Sequence, residues 1–397
     1  MWKALASNGL NLIILLLFLA GGIVLWGNNQ YGAPGPLANA ICLRVEAGST
    51  MGRVSETLAA QGAIGSGWIF RVGADYSGRS GDLKQGSFLI EAGASMGDIV
   101  QSITGDGLST CGTEVIYRIG VNRVIADVRE LDPATNRFVD LVEFEPLVAE
   151  AVPPEYTDVR ARPDTRYRIV AAEGVTSWQI VTALNGLDLL EEDVTEIPAE
   201  GSLAPDSYDV APGDTVASLI ERMVTAQSRI LAEEWAERDD NVPVATPEEA
   251  LVLASIIEKE TAIAEERPLV SSVLVNRIRQ GMRLQFDPTI IYGITRGIGL
   301  LDRPISNADI EGRTEQRLHG EITYNTYQID GLPAGPIANP GRASIEAALN
   351  PAESDLLFFV ADGSGGHAFA TTLDEHNANV ARLRQLEAEA AAGGGGG

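Results

Sequence analysis

The sequence predicts an α+β chain with an apolar helix at its start, a small strand-turn-helix module after it, and a C-terminal mixed α/β domain. Three observations carry this. Leu10 to Trp26 is almost wholly apolar. A short turn-and-cap phrase recurs four times, each time after a strand-like run and before an amphipathic helix. From Ala245 onward a well-capped helix leads into ordered phrases rich in Gly, Pro and aromatic residues. At 397 residues there is room for two or three domains, each with its own core.

The first element follows Lys3 and precedes the polar Gly27-Asn28-Asn29. A run of roughly 17 apolar residues is about the minimum that spans a bilayer. Residues 10–27 therefore read as a single transmembrane helix. Lys3 and the amino terminus place residues 1–9 in the cytoplasm and the rest on the far side, by the positive-inside rule. A signal peptide cleaved after Ala38-Asn39-Ala40 is the alternative, but that site lies well beyond the apolar run and favours an uncleaved anchor. Cys42 and Cys111 both fall beyond the span, where a disulfide is permitted.

The recurring phrase is Ala47-Gly48-Ser49-Thr50-Met51, Ala92-Gly93-Ala94-Ser95-Met96, Ala172-Glu173-Gly174-Val175-Thr176 and Ala211-Pro212-Gly213-Asp214-Thr215. Gly supplies the turn, Ser or Thr caps the coming helix, and pairs such as Val54/Leu58 and Ile99/Ile103 set its apolar face. The first two copies lie in residues 41–112, which resemble the LysM-like module of some cell-wall proteins. A glycan-binding unit and a packing unit without a ligand both fit. Residues 113–166 are rich in acid and Val, with Pro153, Pro154 and Pro163 near their end; they predict some β structure and a linker. An intervening αβ region follows over 167–244. Residues 386–397, Ala/Glu-rich and closing on five glycines, predict a disordered tail.

The net charge of −26, from 55 acidic and 29 basic residues, argues against a nucleic-acid partner, which needs Lys and Arg on its phosphates. Two cysteines and three scattered histidines, His319, His367 and His376, offer no metal site. No cofactor is expected.

Residues 245–385 carry the chemistry. Thr246-Pro247-Glu248-Glu249 forms a capping box with Pro at the first helical position. At about 100° per residue, Leu253, Ile256 and Ile257 of the following helix share one face with Glu260, and Glu258 projects nearly opposite. Two readings of Glu260 stand on periodicity alone: a desolvated acid with a raised pKa, or a carboxylate released to water where the helix ends.

Ala254-Ser255-Ile256-Ile257-Glu258-Lys259-Glu260-Thr261 resembles the signature of the YceG-like (MltG) family of endolytic lytic transglycosylases. The similarity continues through Val273-Leu274-Val275-Asn276-Arg277-Ile278, Gly281-Met282-Arg283-Leu284-Gln285 and Asp287-Pro288-Thr289-Ile290-Ile291-Tyr292-Gly293. It resumes at Tyr324-Asn325-Thr326-Tyr327, Gly331 to Gly341, Phe359-Val360-Ala361-Asp362-Gly363, Gly366-His367-Ala368-Phe369 and His376-Asn377. Ala334 stands where a second Pro is common in the family, and residues 113–166 run longer than its pattern.

The resemblance implies cleavage of the β-1,4 bond between N-acetylmuramic acid and N-acetylglucosamine in peptidoglycan, with the muramyl C6 hydroxyl attacking C1 to leave a 1,6-anhydro end. One side chain then serves both halves, first as acid and then as base. Glycosidases that use water generally need two carboxylates. The family's Glu-Thr match selects Glu260 as catalytic, with Glu258 as the fallback. Substrate-binding candidates are Gln285, Asp287, Thr289, Tyr324, Asn325, Thr326 and Tyr327. Alternatively, Asp287-Pro288-Thr289 is only a helix cap and the tyrosines are core aromatics. The phrase from Gly331 to Gly341 predicts a rigid loop shaping the groove. Asp362 to Gly366 predicts a hairpin turn that delivers His367, which either lines the site or is a structural hydrogen-bonder. The implied setting is the inner membrane, single-pass with the bulk in the periplasm, beside peptidoglycan synthases. Two rival functions are a muramidase using Glu260 with Asp287, and a non-catalytic wall-binding scaffold.

Overall fold

The computed structural model describes residues 2–105, 110–162 and 164–393, and its mixed α and β content agrees with the predicted class. The chain divides into two compact units. The first helix, α1 (Trp2–Gly32), extends past both ends of the apolar run, and its residues from Ile14 to Trp26 are largely exposed, as a lipid-facing surface would be.

The first unit continues as β1 (Ile41–Val45), α2 (Met51–Ala60), α3 (Gly67–Tyr76), β2 (Gly86–Ile90) and α4 (Met96–Thr104). The two strands pair antiparallel, Ile41 opposite Ile90 and Val45 opposite Gly86. Leu43, Val54, Leu58, Phe70, Phe88 and Ile99 pack between them and the helices. Cys42 and Cys111 are joined by a disulfide within this unit.

All four copies of the recurring phrase do the predicted work. Gly48, Gly93, Gly174 and Gly213 have positive φ, the left-handed region where a Cβ is costly. Thr50, Ser95, Thr176 and Thr215 each cap a helix, accepting the N–H of the third residue beyond. Ser95 and Thr176 form full capping boxes with Asp98 and Gln179. The last two copies open α6 (Ser177–Gly186) and α7 (Val216–Ala236), once the intervening elements are counted.

Those elements replace the expected linker. They are β3 (Thr113–Ile119), β4 (Val124–Asp132), β5 (Arg137–Phe144), α5 (Pro154–Arg160) and β6 (Arg166–Ala171). Pro153 and Pro154 start a helix here because Pro is tolerated in a first turn, and that helix buries Tyr156 and Val159. Pro163 lies outside the described residues. With β7 (Ser207–Val210), the strands form a five-stranded sheet in the order β5-β4-β3-β6-β7.

In the second unit, α8 (Pro247–Glu260) is a central helix. A 3-10 turn (Ala264–Glu266) and α9 (Arg267–Arg279) follow, then α10 (Asp287–Thr295), α11 (Asn307–Ile310), α12 (Arg313–His319) and α13 (Arg342–Leu349). The hairpin β8 (Phe358–Ala361) and β9 (His367–Ala370) precedes α14 (Leu373–Gly393). The predicted single apolar face on α8 is too narrow a reading: every residue from Ala250 to Ile257 is buried, with α9 and α13 packed around the helix. Thr246 caps α8 as expected, but the Glu249 carboxylate takes the N–H of Ala245 instead of that of the cap residue. The disordered tail is also corrected as far as Gly393. Ala, Glu, Leu and Arg are strong helix formers, and α14 runs through the residues expected to be structureless. The last four glycines lie outside the described residues.

Candidate active site

Of the three charged residues in the last turn of α8, Lys259 and Glu260 both line one cavity, and Glu258 lies outside it. Glu258 accepts the N–H of Gly341 at 2.9 Å. Lys259 donates to the Gly174 carbonyl at 3.2 Å. The cavity that Glu260 lines has a volume of about 460 Å³. Glu258 and Glu260 part because two residues on a helix turn the side chain through about 200°. Among the described residues, Glu258 is not part of that cavity's wall and Glu260 has no hydrogen-bond partner for its carboxyl.

Burial pushes the Glu260 carboxyl up to about 8, and the negative charge of Asp287 adds to the shift. An acid set this way keeps its proton at neutral pH and can still release it. Asp287 lies on the same cavity wall at the start of α10 and accepts the Tyr327 hydroxyl at 2.8 Å. Burial is the main cause that raises Tyr327, followed by its bond to that carboxylate, so the phenol stays protonated and donating.

Gln285 also lines the cavity. It is held at φ +60°, a left-handed conformation uncommon for a residue with a side chain, and its N–H is fastened to the Thr326 carbonyl. Phe286 and Phe359 form an aromatic part of the wall, with centroids 5.7 Å apart. Arg277 reaches the wall from α9 but spends its guanidinium on the carbonyls of Leu357 and Leu284, against the ring of Phe358, so it serves as a strut.

His367 stands at the start of β9, where the predicted turn delivers it: the Asp362 N–H closes the turn on the Gly366 carbonyl. Its Nδ1 is 2.7 Å from Glu266 Oε2. An ionised carboxylate only accepts, so Nδ1 carries the hydrogen and Nε2 is the nitrogen left over. Glu266 also accepts the His367 N–H and the Thr261 hydroxyl. Burial works to raise Glu266, but these bonds outweigh it and hold the carboxyl below its usual value. Thr261, directly after Glu260, is thus tied through Glu266 to the imidazole across the cavity wall.

Of the residues singled out in the sequence, Glu260, Gln285, Asp287, Tyr327 and His367 are brought together. Thr289, Tyr324, Asn325 and Thr326 are not part of the cavity lining. Thr289 and Thr326 are buried and bonded to each other at 2.8 Å. Asn325 is buried, with its amide donating to the carbonyls of Asp309 and Ile310. Tyr324 stacks on Tyr292, 4.8 Å between centroids, under Arg296. The polar groups of Thr289, Asn325 and Thr326 thus turn inward and build the loop that carries Tyr327.

Two organising acids were not visible in the sequence. Buried Glu315 accepts the successive N–H groups of Thr323, Tyr324 and Asn325 and fixes that loop. Glu266 sits 101 residues from His367, and no local pattern signals their meeting. The loop from Gly331 to Gly341 also has a different role from the expected one. It braces α8 through Ile337 on Ser255 and Gly341 on Glu258, and no residue of it lines the cavity.

Comparison with known proteins gives one family, two relatives and one solved structure. The pattern of the YceG-like family matches residues 43–382. The endolytic murein transglycosylase of Streptococcus pneumoniae serotype 2 (strain D39) is 27% identical over 348 residues, which is 86% of this chain and 58% of that one. The enzyme of the same name from Bacillus subtilis (strain 168) is 34% identical over 180 residues, 45% of this chain and 46% of that one. The chain thus spans 58% or less of these relatives' length. A crystal structure of a YceG-like protein from Listeria monocytogenes is similar at 23% identity and a TM-score of 0.43, over 86% of this chain and 98% of that one.

Proposed function

This chain belongs to the YceG-like family, and from that premise we propose that it is an endolytic peptidoglycan lytic transglycosylase that works with Glu260 as its one proton-transfer group. The observation that carries the reading is a carboxyl on a cavity wall, raised to about 8 and unspent on any hydrogen bond among the described residues. The relatives' name, endolytic murein transglycosylase, supports the substrate class.

In the proposed reaction the glycan lies across the cavity with its N-acetylmuramic acid–N-acetylglucosamine bond at Glu260. The protonated acid gives its proton to the bridging oxygen as the C1–O bond breaks. Positive charge builds on C1 and its ring oxygen, and the Asp287 carboxylate supplies a negative field in the same cavity. The Glu260 carboxylate then takes the proton of the muramyl C6 hydroxyl while that oxygen closes on C1. The acid is regenerated and no water is consumed. Phe286 and Phe359 offer apolar faces to the pyranose rings, and Gln285 offers its amide to their N-acetyl groups. The helix α1 would hold the enzyme in the inner membrane with the cavity on the periplasmic side, where synthases deliver new strands.

A muramidase reading draws on one observation, a second carboxylate, Asp287, in the same cavity. The product's end decides: a transglycosylase leaves an anhydro end lighter by one water, and a muramidase leaves a reducing end.

A further inference from the structure

One helix of the first unit is apolar on both faces. Ile69, Phe70 and Ala74 of α3 are buried in the core. Trp68, Val72 and Tyr76, four residues apart and so stacked on one outer face, are 56%, 45% and 95% exposed. Adjacent to them, Gly73 lies against α1: a Cβ there would meet the Tyr31 ring at 2.2 Å. Gly97 on α4 receives the same ring from its other edge, where a Cβ would come within 3.2 Å. The end of α1 is therefore seated on α3 and α4 through Tyr31.

That contact sets a depth. Trp26, exposed on the apolar stretch of α1, precedes Tyr31 by five residues of continuous helix, which is about 8 Å at 1.5 Å per residue. The polar layer of a bilayer is of similar thickness, roughly 5–8 Å on each side of the hydrocarbon. A helix held there presents its free face to the headgroups, and Trp and Tyr are the residues that favour that zone. The polar neighbour most able to serve a different ligand, Asp75, is already engaged by the Ser80 hydroxyl.

We propose that the exposed face of α3, formed by Trp68, Val72 and Tyr76, rests in the headgroup layer of the membrane and holds the first unit against the lipid surface. This rests on α1 being a membrane anchor. Two exposed aromatic rings on one face also suit sugar, and the experiment separates the two.

The two native cysteines are bonded to each other, so Val72→Cys provides the single free thiol of the full chain. A nitroxide attached there is followed by spin resonance in vesicles of phosphatidylethanolamine and phosphatidylglycerol. Labels at Leu16→Cys on α1 and Glu56→Cys on exposed α2 serve as deep and aqueous references. The expected result is loss of collisions with a water-soluble nickel chelate at Val72 relative to Glu56, and their return when Trp68→Ser and Tyr76→Ser are added. A Leu16 label shielded from nickel beside a Val72 label as open as that of Glu56 overturns the proposal and leaves the anchor standing. An open Leu16 label removes the anchor and the proposal with it. Shielding of Val72 only after glycan strands are added assigns the face to sugar and also overturns it.

Discussion

The Tyr327 hydroxyl donates to Asp287 Oδ1 at 2.8 Å, and the carboxylate so held is the charge that adds to burial in raising Glu260. The bond joins the first residue of α10 to a loop 40 residues further on and links a phenol on the cavity wall to the proton affinity of the acid. It gives the first prediction its sign. Removing the negative charge of Asp287 makes the Glu260 carboxylate easier to form, so the pKa of Glu260 falls. The proposed acid form is active below its pKa, so cleavage should decline as pH rises through about 8. In Asp287→Asn the decline should move down by roughly one pH unit. Rate profiles of the two proteins check this, and a limb that stays in place removes Asp287 from the account.

The same raised pKa is a cost to the fold. Above the ordinary carboxyl value of 4.5, the unfolded chain releases the Glu260 proton while the folded chain keeps it until about 8. The folded state binds more protons across that window, so stability falls as pH rises through it. Glu260→Gln carries no such proton. It should melt above the wild type at pH 8, by about 2 kcal/mol after screening at the partly open cavity, and the two should converge near pH 4. Equal melting differences at both pH values would show that Glu260 is not desolvated.

Glu258 and Glu260 should respond oppositely to the same change. Glu258 accepts the Gly341 N–H, and a Gln there still presents a carbonyl oxygen to that donor. Glu258→Gln should retain activity within about tenfold. Loss of activity in it as deep as in Glu260→Gln would move the assignment to Glu258.

Glu266 should matter through His367. Glu266→Gln weakens the contact to Nδ1 and leaves the imidazole less well oriented, which should cost roughly tenfold or more in rate. Its folded pKa is lowered, so its contribution to stability is present above about 4.5 and is lost as pH falls below that value. The melting advantage of the wild type over Glu266→Gln should shrink on acidification, and an advantage that grows would reverse the assigned roles.

The disulfide closes a loop with a sequence separation of 69. Chain-entropy arguments assign such a loop about 4 kcal/mol. Cys42→Ser with Cys111→Ser should lower the denaturation midpoint of the first unit by a corresponding amount; an unchanged midpoint would show that the link adds nothing.

The legible parts of this chain were local. Thr246 and Pro247 announce the start of α8, Gly and Thr announce four helix caps, and Asp362 to Gly366 announces the turn before His367. Each depends on neighbours within a few residues. What was misread depends on distance along the chain. Asn325 and Thr289 look like sugar ligands because amide and hydroxyl groups suit sugars, yet the fold spends them on Asp309, Ile310 and Thr326. Glu315 and Glu266 look like surface acids until the loops they hold arrive from 8 to 101 residues away. The Ala/Glu-rich composition after Leu386 cannot build a core, yet its alanines and glutamates are helix formers and carry α14 on to Gly393.

In the proposed cleavage Glu260 alone moves the proton and no water is consumed. Mass spectrometry of peptidoglycan digested by the wild type and by Glu260→Gln reads both features at once. The expected result is 1,6-anhydro-muramyl ends from the wild type and none from the variant. Reducing ends from the wild type, or anhydro ends from Glu260→Gln at the wild-type rate, would contradict it.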